Sequence, residues 1–175
     1  MSVDTGSTTQ RFEAALADLE VPVTSTDPSK FEHTLERIAG EPAIGTSLPF
    51  PSVSLPDWVD DEPTPPDLES ATTGITAASI GIADYGSVVL PATPSGAEQV
   101  SLFPDLHVPV LCESDLVADM PTAIERLGPQ LREGHSAIVA TGPSATADMG
   151  SLVKGAHGPR DVHVLLLEEA GEDDE

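Results

Sequence analysis

The apolar and polar positions along the chain change period several times, and each change marks an element. Phe12, Leu16 and Leu19 recur at helical spacing, which predicts a helix over roughly 9–20. A short strand-like run follows at 21–24. Asp27-Pro28 signals a helix start, a capping carboxylate followed by a ring suited to the first helical position. Phe31, Leu35 and Ile38 form the apolar face of that second helix, and Gly40 ends it. Residues 43–46 read as a strand. The runs 73–83 and 87–90 mix β-branched and small residues and predict two strands joined tightly at Asp84-Tyr85-Gly86. Residues 95–102 read as a short helix ended by Pro104, and 107–112 as a strand. Asp119 and Pro121 open a helix bearing Ile124, Leu127 and Leu131, with Gly128-Pro129 as a kink or break and Gly134 as its stop.

The stretch 136–167 carries the clearest pattern. An apolar run, Ala137 to Ala140, is interrupted by Thr141-Gly142-Pro143-Ser144. Met149, Leu152 and Val153 then fall on one face of a small-residue helix that Gly155 stops. Gly158-Pro159 turns the chain, and a second apolar run occupies 162–167. Strand, helix, strand at this spacing predicts a βαβ crossover with 137–141 and 162–167 as parallel strands. The alternation of strands and helices along the chain predicts an α/β layered, Rossmann-like fold with a largely parallel sheet.

Between these parts lies a different kind of sequence. Residues 48–69 hold six prolines (49, 51, 56, 63, 65 and 66) with Asp57, Asp60, Asp61 and Glu62. This composition predicts extended surface chain, neither helix nor central strand. Trp58 is expected to dock it onto the body, and a surface for another subunit is its functional reading. The expected organisation is one domain over 1–175. It comprises a helical N-terminal part (1–47), the Pro/acid-rich segment (48–69), an α/β core (70–167) and an acidic tail (168–175).

Composition sharpens the picture. Thirty Asp and Glu stand against seven Lys and Arg, a formal net charge of −23. Self-repulsion of that size is screened strongly only when the Debye length falls from ~10 Å at 0.1 M salt to ~3 Å at 1 M. A molar-salt cytosol, hence a halophilic protein, is the expectation; an acidic partner-binding or partly disordered chain is the alternative. No basic stripe exists, so nucleic acid is not an expected partner. Cys112 is the single cysteine. No intrachain disulfide can form, and no iron–sulfur cluster can be held by thiolates of this chain alone. Within strand 107–112 it reads as a buried, inert thiol. With no signal-like start and no apolar run of membrane length, a soluble cytoplasmic protein without membrane insertion is expected.

Candidate chemistry gathers in the C-terminal stretch. Between Gly134 and Val164 the only acids are Asp148 and Asp161, beside Lys154, Arg160, His135, His157 and His163. That neutrality fits an anion pocket; buried strands account for part of it. Ser144 reads as a helix N-cap, whose following N–H groups suit a carboxylate or phosphate. Gly142, Pro143, Ser144 and Thr146 form this candidate site. Asp148, one helical turn after Ser144, is a candidate general base or orienting group, or simply a favourable charge near a helix start. His157 is a candidate proton carrier or a turn residue. With Gly158 and Arg160 it lies at the other end of the crossover, so the two sets need not meet. Asp84, Gly86 and Ser87 read as a pocket lip or as turn chemistry. A Ser144, Asp148, His157 triad exists on paper. No dinucleotide fingerprint, P-loop or nucleophile elbow is present, and no metal-ligand spacing is convincing.

These same residues carry a family resemblance. TGPSATAD followed by KGAHGPRDVHVLLL resembles the signature of the lactate-utilisation protein C family, also called the LUD domain. Gly81 to Ser87 resembles its G-x-A-D-T-G-T segment, with Tyr85 where Thr is common. Ser101-Leu102-Phe103-Pro104 and His107-Val108 resemble two further segments, with Gln99 where an Arg is often found upstream. The resemblance spans 73–167. It implies the fold shared by ribose-phosphate isomerases, glucosamine-phosphate deaminases and CoA transferases. It also implies a subunit or accessory protein of an iron–sulfur system oxidising L-lactate to pyruvate, with no cofactor in this chain and the clusters in partner subunits. The alternatives are a stand-alone enzyme or carrier acting on a small carboxylate or sugar phosphate, and a purely structural interaction module.

Overall fold

The computed structural model describes residues 5–148, 150–155 and 157–168. The N-terminal half contains α1 (Thr5–Asp18), β1 (Val23–Thr26), α2 (Phe31–Ile38), β2 (Ala43–Gly45), β3 (Val59–Asp60), α3 (Pro65–Ser70), β4 (Thr73–Ala77), β5 (Ile80–Ile82) and β6 (Ser87–Pro91). Then come α4 (Ala97–Leu102), β7 (Leu106–Cys112), β8 (Leu116–Val117) and α5 (Met120–Arg132). The chain continues with β9 (Ala137–Thr141), β10 (Ala145–Asp148), β11 (Ser151–Lys154), β12 (Asp161–Val162) and β13 (Val164–Leu167).

The central sheet has the order β1-β13-β7-β4-β2-β3, with β12 also on β7, and every pairing in it is parallel. The two-residue period sorts its side chains. Ile75, Val108, Val110, Leu165 and Leu167 face Phe31 and Leu35 of α2. Leu111, Val162, Val164 and Leu166 face the other way, toward Phe12 and Leu16 of α1. Burial on both faces explains why Val164 to Leu167 is apolar without alternation.

The run 73–83 is not one strand. It leaves the parallel sheet after Ala77 and enters a second, four-stranded sheet of order β8-β5-β6-β9. There β5–β6 and β6–β9 are antiparallel and β5–β8 is parallel. One face of this sheet, with Val88, Leu90, Ile138 and Ala140, packs toward the parallel sheet. The other, with Ile80, Ile82 and Val89, packs on Ala123 and Leu127 of α5. Asp119 caps α5, its Oδ1 accepting from the Thr122 N–H at 2.9 Å. The helix runs on through Gly128-Pro129 instead of breaking there. Pro129 falls in the last turn, so the missing N–H removes a bond only near the helix end.

Several expectations are corrected. The segment 48–69 contains both a strand, β3, and a helix, α3. Pro65 and Pro66 occupy the first turn, where N–H groups have no intrahelical acceptor, and Thr64 and Asp67 form a capping box. Trp58, Leu48, Phe50 and Leu55 do dock the segment onto the parallel sheet. The Trp58 indole N–H is buried there without a partner among the described residues. Cys112 is half-buried at the end of β7 rather than enclosed.

The largest correction concerns 137–167. Strands 137–141 and 162–167 belong to different sheets, and the segment between them is an antiparallel hairpin, β10–β11, not a helix. Asp148 pairs with Ser151, and Gly150 reverses the chain at φ +80°. Glycine adopts that left-handed conformation without steric cost, which makes a two-residue hairpin loop available. Met149, assigned to the expected helix face, lies outside the described residues. Among the described residues no helix is long and apolar enough to cross a membrane.

Candidate functional site

Where the two sheets face each other they leave a cavity of about 260 Å³. Val88, Leu90, Ile138 and Ala140 of β6 and β9 form one wall. Val162 and Val164 of β12 and β13 form the opposite wall, and Leu16 of α1 closes a side. The residues contributed by β7, β12 and β13 lie near the N-terminal ends of these strands. Open α/β sheets more often hold ligands at the carboxyl ends. The polar side chains at the cavity are Ser101, His107, Thr141, Ser144 and His157.

The GPS and HGP stretches meet here, although the sequence left them free to face opposite edges. Gly142, Pro143 and Ser144 line the cavity together with His157, Gly158 and Pro159. Two backbone bonds tie the loops at the base of the hairpin: the Ser144 N–H donates to the Pro159 carbonyl, and the Gly155 N–H to the Ser144 carbonyl, each at 2.9 Å. A Cβ on Gly158 would come within 3.1 Å of Ser144 Cβ, so glycine lets the two loops approach without either giving way. Gly142, at φ +69°, makes the bend out of β9.

These bonds also overturn the expected chemistry of Ser144. It is not a helix N-cap, and its N–H is already engaged. The helix end that made an anion the expected ligand does not exist. Asp148 lies on β10, four residues along an extended strand from Ser144, so the helical turn that was expected to put the two on one face is absent. Thr146 lies on β10 with Asp148; the side chains of both fall outside the described residues.

The remaining candidates separate. Gly86 lines the cavity at φ +63°. Asp84 instead forms an exposed ion pair with Arg11 of α1. Ser87 is buried, its Oγ 2.7 Å from Thr141 Oγ1, and so joins β6 to β9. Arg160 is exposed and packs beside Gly155, outside the cavity lining.

Sequence reasoning missed Ser101, Leu102 and His107 as site residues. Their signal was the family-like S-L-F-P and His-Val segments, read only as resemblance. His107 is 2% exposed, and its Nε2 lies 2.8 Å from Thr76 Oγ1. Burial pushes its pKa down to about 3, so the ring is neutral at ordinary pH. His163 is half-buried with Nε2 2.8 Å from Thr24 Oγ1, and burial also lowers its pKa.

Every residue lining this cavity except Leu16 lies within 21–167, and that whole span matches the family model of the LUD domain. The chain belongs to the LUD domain family. Similar proteins include a lactate utilization protein C from Deinococcus radiodurans, 30% identical over 127 residues, covering 70% of this chain and 59% of that protein. Another lactate utilization protein C, from Shouchella clausii, is 35% identical over 130 residues, covering 72% of this chain and 57% of that protein. This LUD domain therefore spans a little over half the length of the curated relatives it matches. Its fold is similar to the crystal structure of a DUF162 family protein from Deinococcus radiodurans, with a TM-score of 0.74 and 19% identity. That likeness covers 94% of this chain and 99% of the other.

Proposed function

We propose that this LUD domain acts in lactate utilisation, as a cytoplasmic subunit or accessory protein of a system whose iron–sulfur subunits oxidise L-lactate to pyruvate. The observation that carries this reading is the match over 21–167, shared with relatives named lactate utilization protein C. A single cysteine supports it, because thiolate ligation of a cluster then falls to partner chains. The cavity between the sheets is the ligand site of this reading, with Gly142, Pro143, Ser144, His157 and Gly158 at its polar end. Arg160, at the surface and outside the cavity lining, is available to a partner rather than to the ligand, while Asp84 is taken up by its ion pair with Arg11. The net charge of −23 is in keeping with function in molar salt.

The test is lactate oxidation with an artificial electron acceptor. The purified chain alone is expected to give no turnover. Proteins encoded beside it are expected to turn over faster when it is added. Turnover by this chain alone overturns the subunit role in favour of a stand-alone enzyme.

A further inference from the structure

We propose that the cavity takes a ligand with an apolar body and one oxygen-bearing head, the body between Val88, Leu90, Ile138 and Val164 and the head at Ser144 and His157. This rests on the reading of the cavity as the ligand site, and it replaces a three-carbon hydroxy acid with a larger, amphipathic molecule.

Three observations converge on it. The first is the wall: the two sheets present branched aliphatic side chains to the space from both sides. A carboxylate placed among them exchanges water for hydrocarbon, which is costly without a compensating partner. The second is that the polar side chains away from the GPS and HGP loops are already engaged within the protein. His107 Nε2 lies 2.8 Å from Thr76 Oγ1, and Thr141 Oγ1 lies 2.7 Å from Ser87 Oγ. Ser101 Oγ donates to the Glu98 carbonyl at 2.7 Å. Each of these three side chains thus has one internal bond, whereas Ser144 and His157, both at one end, have none among the described side chains and are the ones placed to meet a polar head. The third is size. At about 30 Å³ per water the space holds on the order of nine water-sized units, more than a three-carbon acid fills. Releasing that water from apolar walls favours a longer apolar body.

The probes are 1-butanol, 1-pentanol, 1-hexanol and L-lactate, titrated by calorimetry into the full chain in molar KCl. Affinity is expected to rise about fourfold per added methylene, equivalent to ~0.8 kcal/mol. L-lactate is expected not to displace 1-hexanol. Ala140→Phe, which fills the space from β9, should abolish 1-hexanol binding. Ser144→Ala should weaken all three alcohols by a similar factor and leave the per-methylene step unchanged. The wild-type series stands even if Ala140→Phe does not fold. A flat series, no binding of any alcohol, or competition by L-lactate overturns the proposal. None of these three outcomes bears on the lactate assay, which reports the subunit role without reference to the ligand. Conversely, a chain that leaves its neighbours' turnover unchanged loses that role and can still show the methylene step.

Discussion

Ala137–Thr141 and Val164–Leu167 are similar short apolar strings on either side of the same loop region, yet they end in opposite environments. β13 runs between β1 and β7, and all four of its residues are buried. β9 pairs only with β6, at the edge of the antiparallel sheet, and none of its residues is fully buried. Val139 is 42% exposed. An apolar string becomes a two-sided core strand only when neighbours flank it and layers cover both faces. β9 has one neighbour, and its second face is covered only at Ala137, leaving Val139 exposed. The difference also makes the cavity. Because the two strands lie in separate layers, the chain between them leaves the body as a hairpin and returns beside its own start, and the space between the layers stays open.

The largest effect that would test this contrast is on stability. Leu166, 1% exposed on β13, should lose about 2–5 kcal/mol on conversion to Ala, the usual range for an enclosed leucine. Val139→Ala on β9 should cost less than about 1 kcal/mol. Urea unfolding of both variants checks the pair, and equal losses would erase the distinction between core and edge strand.

A second, pH-dependent effect belongs to the buried side of the seam. The folded state holds His107 neutral down to about pH 3, whereas the unfolded chain takes up its proton near pH 6.5. The unfolded state therefore binds more protons in this window, and stability falls as the pH drops from about 6.5 toward 3. The limiting slope is about 1.4 kcal/mol per pH unit. His107→Gln, which retains a donor for Thr76, should reduce the pH dependence of urea midpoints between about pH 6.5 and 4.5, leaving the smaller slope from His163, whose pKa burial also lowers. Below that range both proteins should weaken together. Asp27 is held at about 2 by Lys30 and Ser29, and hydrogen bonds from Thr64 and Thr122 hold Asp67 and Asp119 below the usual carboxylate range. Their stabilisation is present above the unfolded carboxylate pKa and lost on acidification. A wild-type slope that survives in His107→Gln would place the titrating group elsewhere.

The smallest effect concerns how β9 is held. Its hydroxyl link to β6, Ser87 to Thr141 at 2.7 Å, should contribute about 1 kcal/mol. Ser87→Ala and Thr141→Val should each cost about that, and the double variant less than their sum. Strict additivity would show that the link contributes nothing to the edge strand.

Much of this architecture was legible from local rules. The periodic faces of α1, α2 and α5, the Asp119 cap and the apolar β7 and β13 follow from side-chain spacing and capping chemistry. Those signals act within one element. The GPS and HGP stretches were also identifiable as the place to look for a ligand. Their meeting was not, because it is made by backbone bonds between distant positions, Ser144 N–H to the Pro159 carbonyl and Gly155 N–H to the Ser144 carbonyl.

The sequence by itself determined which segments are apolar, where helices begin and that one cysteine cannot build a cluster. Tertiary structure decided which sheet each apolar run joins, that 145–154 is a hairpin, and that His107 faces a cavity instead of a filled core. The physical reason is that an apolar run states only its need for burial. The choice of partner comes from packing among distant segments, and in a small-residue stretch such as 145–154 local propensity is too weak to oppose it.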